Sequence, residues 1–170
     1  MAGQATPAIA VLVRQRIAHR THPYAVDPDT PNYGAAVADA LGVPQERVFK
    51  TLVTTVSFAS APQGSPEVAG GLTVAVVPVT SDVDLKALAS AVGGKRAALA
   101  DRALAEKTTG YVRGGISPLG QRKRLPTVID DSATGHETVY VSAGRRGLQV
   151  ELKPADLIVL TDAVTARIAT

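Results

Sequence analysis

The stretch LTVAVVPV at residues 72–79 constrains this chain more than any other segment. Only Thr73 in it is polar, so both alternating faces are apolar, and the run predicts a central strand buried on both sides, with Pro78 near its end. Residues 48–58, VFKTLVTTVSF, are rich in β-branched side chains and predict its partner strand. Between them, residues 59–71 hold two prolines and three glycines with little hydrophobic bulk, which predicts a long loop joining an antiparallel pair.

The rest of the chain is organised around this pair. Thr6 followed by Pro7 is a helix-start signal, and Ile9, Leu12, Val13 and Ile17 continue at helical spacing, predicting a helix over 7–19. A short strand is expected over 22–26, then a helix over 33–41 capped by Asn32 and closed by Gly42, and a helical turn at Pro44. Ser81 and Asp84 resemble a capping box that launches a helix ending at Gly93-Gly94; Asp101 caps another to Lys107 after a short strand at 97–99. From Gly110 onward, short β runs at 111–113, 127–130, 137–142 and 148–152 alternate with turns. Pro154 starts a last helical turn, and 163–168 closes the sheet. Regular βαβ alternation is missing, so the expected class is α+β: one domain over residues 1–170, a mixed and strongly curved sheet with peripheral helices.

Composition narrows the function. With two phenylalanines, four tyrosines and no tryptophan, the core must be aliphatic. Too few rings remain for the stacking platform of a sequence-tolerant single-strand binder or an RNA-recognition sheet. The absence of cysteine excludes a disulfide framework, a zinc knuckle and a thiol nucleophile, and fits a reducing compartment. Near the N-terminus the arginines follow the apolar stretch instead of preceding it, so no secretory signal is read there, and no stretch approaches the roughly 20 apolar residues of a membrane span. The expected location is the cytoplasm. Residues 1–85 carry five Lys/Arg against seven Asp/Glu, and residues 86–170 thirteen against eight. The basic side chains of the second half cluster at Lys95-Arg96, Arg113, Arg122-Lys123-Arg124 and Arg145-Arg146, as phosphate contacts or as a solvated face.

No phosphate-cradling loop and no dinucleotide fingerprint is present, so no nucleotide cofactor is expected. His19, His22 and His136 are too few and too poorly spaced for a histidine metal site, and no metal is expected. Ser117 lies in Gly114-Gly115-Ile116-Ser117-Pro118-Leu119-Gly120, which is not a nucleophile elbow because Pro118 removes the amide that would complete an oxyanion hole. The approach to it still exposes the amides of Gly115, Ile116 and Ser117, either as a cradle for a carboxylate or polarised carbonyl or as a plain tight turn. Lys50 stands inside the strand at 48–58; it points outward to solvent, or inward to a pocket holding an anion or a polarised carbonyl.

Taken together, Val48-Phe49-Lys50-Thr51-Leu52, Val77-Pro78-Val79, Asp84-Leu85-Lys86-Ala87-Leu88-Ala89, Thr109-Gly110-Tyr111-Val112, the Gly114 to Gly120 run, Val128-Ile129-Asp130 and Val141-Ser142-Ala143-Gly144-Arg145-Arg146-Gly147-Leu148 resemble the YbaK/EbsC family. These are Cys-tRNA(Pro) deacylases, freestanding relatives of the prolyl-tRNA synthetase editing domain. The resemblance runs in order over roughly residues 5–168. It implies a barrel-like mixed sheet with a pocket for the aminoacylated 3′ end of tRNA(Pro), without cofactor, and with prolyl-tRNA synthetase as the partner that selects the tRNA.

By that resemblance Lys50 is the functional lysine beside the scissile ester, flanked by the substrate-binding Phe49 and Thr51. Tyr24 lies near the substrate. Gly114, Gly115, Ile116, Ser117 and Pro118 match the loop whose backbone holds the aminoacyl group, and Asp130, Ser142 and Gly144 match further pocket positions. Arg122, Lys123, Arg124, Arg145 and Arg146 become candidates for acceptor-stem contacts. The implied mechanism is substrate-assisted, the cysteine thiol attacking its own carbonyl. The alternatives are a sibling deacylase acting on Ala-tRNA(Pro) or another mischarged tRNA, and a non-catalytic tRNA- or synthetase-binding module. The family often carries a glutamate where this chain has Ala36, in Tyr33-Gly34-Ala35-Ala36-Val37, so that carboxylate has no counterpart here.

Overall fold

Leu72–Pro78 (β3) runs through the middle of the larger of two sheets, and every residue of it is buried. The computed structural model describes residues 5–58 and 71–170. Val74 and Val76 enter the main core, whereas Ala75 and Val77 belong to a second core on the opposite face with Leu88, Val128 and Ile168. The two-sided burial expected from the apolar run is therefore real, because a period of two sends alternate side chains to opposite faces.

The larger sheet has the order β4-β2-β3-β5-β8. Phe49–Ser57 (β2) pairs antiparallel with β3, placing Lys50 opposite Val77, and on its other edge with Arg96–Leu99 (β4). Thr127–Asp130 (β5) and Val164–Ala166 (β8) add on in parallel, so the sheet is mixed as expected. The smaller sheet, β1-β7-β6, is antiparallel and consists of His19–Pro23 (β1), Leu148–Leu152 (β7) and Val139–Arg145 (β6). A parallel bridge between Val48 and Tyr140 joins the sheets, which do not close into a barrel among the described residues. Residues 59–70 of the expected long loop lie outside the described residues.

Among the described residues, five α-helices cover this framework: Pro7–Arg14 (α1), Tyr33–Leu41 (α2), Leu85–Ala91 (α3), Arg102–Thr109 (α4) and Pro154–Thr161 (α5). Ala8 and Leu12 of α1 pack into the main core. The Thr6 hydroxyl caps α1 by accepting from the Ile9 amide, and donates to the Ala143 carbonyl of β6, anchoring the helix to the smaller sheet. Leu88 of α3 covers the second face of the larger sheet.

Several boundaries differ from expectation for identifiable reasons. The first helix stops at Arg14 because Arg16 turns left-handed at φ +58, and the amides of Arg16 and Ile17 fold back onto the Val13 and Leu12 carbonyls. That early stop moves the following strand up to His19–Pro23. Asn32 is itself left-handed and makes no side-chain cap, and Asp84 alone caps α3, accepting from the Ala87 amide. Residues 111–113 are loop, not strand, while Pro154 opens a two-turn helix instead of a single turn.

Candidate functional site

A cavity of about 530 Å3 opens where the two sheets meet, and the strand carrying Lys50 forms one wall. Phe49, Lys50 and Thr51 of β2, Tyr33 and Gly34 at the start of α2, Arg113, Gly114 and Ile116 of the loop after α4, and Ser142 and Gln149 of the smaller sheet all line it. The structure thus brings together six of the residues singled out in the sequence: Phe49, Lys50, Thr51, Gly114, Ile116 and Ser142.

Lys50 is about a third exposed, and its ammonium lies 3.6 Å from the carboxylate of Asp82, which is itself 92% exposed. A pair with one member in open solvent holds its lysine weakly, so the ammonium is available to an anionic or carbonyl group entering the cavity. Beside it, Thr51 Oγ1 and Gln149 Oε1 are buried without a hydrogen-bond partner among the described residues. A buried polar atom left unpaired costs about 1–3 kcal/mol, so two of them lining one cavity mark a surface made to meet polar groups of a ligand. Gln149 is opposite Ser142 across the β6–β7 pair, one step before the register shift that ends at Arg145.

Tyr24 does not line the cavity, but its hydroxyl is 2.9 Å from that of Tyr33, which does. Burial, and then the Tyr24 hydroxyl, push the Tyr33 phenol well above the usual tyrosine range, so it stays a neutral hydrogen-bonding wall.

The 114–120 loop is held by charge and by the absence of side chains. Glu106 of α4 accepts from the Arg113 amide at 2.8 Å and from Arg102 at 3.4 Å, and Arg146 donates to the Arg113 carbonyl at 2.9 Å. The Arg113 amide in particular holds the Glu106 carboxyl below its usual range. Gly114 has φ +85, and a Cβ on Gly115 would stand 2.8 Å from the Arg145 Cα. The glycine pair therefore lets the loop lie directly on the β6–β7 turn.

Other expected site residues have structural duties. The Gly115 amide donates to the Val112 carbonyl within a turn and is not part of a free cradle; Ile116 and Ser117 have no such backbone acceptor among the described residues. Ser117, expected as a substrate-binding loop residue, is fully buried, does not line the cavity, and accepts from the Leu119 amide. Pro118 faces a second, smaller cleft. Gly144 sits in the β6 bulge at φ +105, where an added Cβ would meet the Tyr111 ring at 2.8 Å.

Asp130, expected at the pocket, lies elsewhere. One carboxylate oxygen accepts from the amides of Ile168 and Ala169 and the other from the amide and hydroxyl of Ser132. Burial opposes its charge, yet these bonds hold its pKa below the ordinary aspartate value. It ties the C-terminal segment to β5.

Among the arginine-rich positions, Arg122 donates to the Lys107 carbonyl, Arg145 to that of Arg146, and Arg146 braces Arg113 as described. Lys123 is exposed, and Arg124 lines the smaller cleft. Gln149, Tyr33, Arg102 and Glu106 were not singled out from the sequence. An isolated glutamine in an apolar strand was the available signal for Gln149.

The cavity at the junction of the two sheets is thus lined by a lysine and by two unpaired polar side chains. Residues 27–160 match the aminoacyl-tRNA editing domain, and the chain belongs to that family. It is 35% identical over 167 residues to a protein of Enterococcus faecalis described as a candidate Cys-tRNA(Pro)/Cys-tRNA(Cys) deacylase, EbsC, covering 98% of this chain and 94% of that one. A crystal structure described as that of a candidate trans-editing enzyme for prolyl tRNA synthetase superposes with a TM-score of 0.80 at 20% identity, over 100% of this chain and 99% of the other. A hypothetical protein of known structure matches equally, with a TM-score of 0.80 at 22% identity over 97% and 100% of the two chains. No helix among the described residues is long and apolar enough to cross a membrane.

Proposed function

We propose that this protein removes cysteine from mischarged Cys-tRNA(Pro) in the cytoplasm, with prolyl-tRNA synthetase supplying selection of the tRNA. The observation that carries the reading is the cavity's chemistry. Lys50 and the unpaired Thr51 and Gln149 supply charge and hydrogen bonds, but among the described residues the lining has no cysteine, histidine or base-activated serine to form a covalent intermediate.

An aminoacyl ester is activated, so positioning and oxyanion stabilisation suffice if the substrate brings its own nucleophile. On this reading the cysteine thiol, as thiolate, attacks its own carbonyl carbon. A C–S bond forms, the ester C–O bond breaks, and the ribose 3′ oxygen leaves and takes up a proton, giving a thiolactone and free tRNA. Lys50 holds the terminal ribose or phosphate and balances the developing negative charge. The Ile116 amide faces the aminoacyl group, with Thr51, Ser142 and Gln149 opposite. Arg122, Lys123 and Arg146, which are exposed, and the half-buried Arg145 lie near the loop and meet acceptor-stem phosphates. The similarity to the Enterococcus faecalis protein supports the cysteine substrate over alanine.

The test offers purified protein Cys-tRNA(Pro) and Ala-tRNA(Pro), with Lys50→Ala in parallel. Release of cysteine as thiolactone, identified by mass, with loss of activity in Lys50→Ala, is the expected result. Preferential release of alanine would move the specificity. RNA binding without deacylation of either would leave a binding module.

A further inference from the structure

The smaller cleft, of about 300 Å3, lies between α1, the 118–127 segment and α5. Arg14, Gln15, Gln121 and Arg124 supply its polar wall, and among the described residues no carboxylate lines it. Neither Arg14 nor Arg124 has an ion-pair partner among the described residues. Arg14 sits in the last turn of α1, yet it is not needed as a cap there, because the amides of Gln15, Arg16 and Ile17 already satisfy the Val11, Val13 and Leu12 carbonyls.

The cleft is also built firmly. Gln121 Nε2 donates to the Ser117 carbonyl at 3.0 Å, and Gly120, at φ +66, packs so closely that a Cβ would stand 2.6 Å from the Pro7 backbone. One loop forms a wall of both cavities, since Gly114 and Ile116 line the larger and Pro118 and Gly120 the smaller. Ile116 and Pro118 are two residues apart, so those walls are separated by no more than about 7 Å.

We propose that this cleft receives a backbone phosphate of the tRNA acceptor strand, held by Arg14 and Arg124, and thereby sets how the aminoacyl 3′ end enters the larger cavity. The inference rests on the deacylase reading for the identity of the RNA. Two guanidiniums without a competing carboxylate suit the oxygens of a phosphate, which they meet through paired N–H donors. An RNA strand carries one phosphate per nucleotide, so an RNA whose 3′ end fills the larger cavity has backbone phosphates near the neighbouring one. A free phosphate would satisfy the same donors; its small size does not use the shared loop.

The experiment measures binding of an uncharged acceptor-stem hairpin ending in CCA, by fluorescence anisotropy over a salt series. The proteins are wild type, Arg124→Ala, Arg14→Ala/Arg124→Ala and, as a surface control, Lys95→Ala, with thermal melting to confirm folding. The double variant is expected to bind at least tenfold more weakly, with the slope of log K against log salt reduced by about 0.7–0.9 for the lost phosphate contact. Arg124→Ala alone should fall between, and Lys95→Ala should match wild type. Unchanged affinity and slope in the folded double variant would overturn the proposal. So would tight, arginine-dependent binding of inorganic phosphate that leaves hairpin binding untouched. Because the hairpin carries no amino acid, a wild-type protein that binds it through these arginines but never deacylates would refute the deacylase reading and leave the cleft assignment standing.

Discussion

The ammonium of Lys50 lies 3.6 Å from the carboxylate of Asp82, and of the two side chains the carboxylate is almost wholly in solvent. Lys50 is thus tethered at the cavity edge by a partner that water can replace. Asp82→Asn is expected to change stability by less than about 1 kcal/mol, as for other exposed pairs, and to retain deacylation. Chemical denaturation and single-turnover deacylation check this; a tenfold loss of rate would assign Asp82 a part in placing the lysine.

Gln149 separates binding from stability. Its Oε1 is buried and unpaired, so Gln149→Leu removes an unsatisfied acceptor and should leave stability within about 1 kcal/mol of wild type or raise it. If that oxygen meets the substrate, kcat/KM falls at least tenfold in the same protein. Urea unfolding and steady-state kinetics on one preparation make the comparison.

Gly115→Ala tests the loop's close approach. The new methyl would stand 2.8 Å from the backbone of Arg145, where no flexible side chain can give way. Overpacking of this kind costs about 1–3 kcal/mol, and the displaced loop should lower deacylation as well. Gly42→Ala is the useful contrast, since its Cβ meets nothing within 4 Å and only its left-handed φ of +70 is strained. It should lose stability without losing the catalytic rate measured at full folding.

Asp130 supplies a pH dependence with a definite sign. Its pKa is depressed in the folded protein, so its contribution is fully present above the unfolded value of about 3.9 and is lost as pH falls through the lower folded value. Asp130→Asn should flatten the stability profile below about pH 4, read by denaturant midpoints at successive pH values. Asp130→Ala should cost about 3 kcal/mol at neutral pH, because the Ile168 and Ala169 amides lose a charged acceptor. Neither change touches the cavity lining, so activity of the folded fraction should persist.

Much of the architecture was legible along the chain because it depends on local rules. The period-two apolar run at 72–78 announced its two-sided burial, Pro7 and Thr6 the start of α1, and Asp101 the start of α4. Local rules failed where a non-glycine residue took a left-handed conformation. Arg16 has no sequence signature for that, and its turn shortened the first helix and shifted the strand after it; Asn32, of a type that tolerates the conformation, lost only its side-chain cap.

The candidate site divides in the same way. Sequence alone determined the α+β class, the absence of any cysteine nucleophile, and the motif positions of Lys50, the glycine loop and Ser142. It did not determine which motif residues share a cavity, because that depends on long-range pairing. Only the junction of the two sheets set Ser142 and Gln149 near β2, while hydrogen bonds to the C-terminal segment took Asp130 away from the site. Packing of the loop on α1 likewise placed Arg14 and Arg124, more than a hundred residues apart, on one cleft. A one-dimensional pattern records which side chains are available; burial and backbone pairing decide which of them meet.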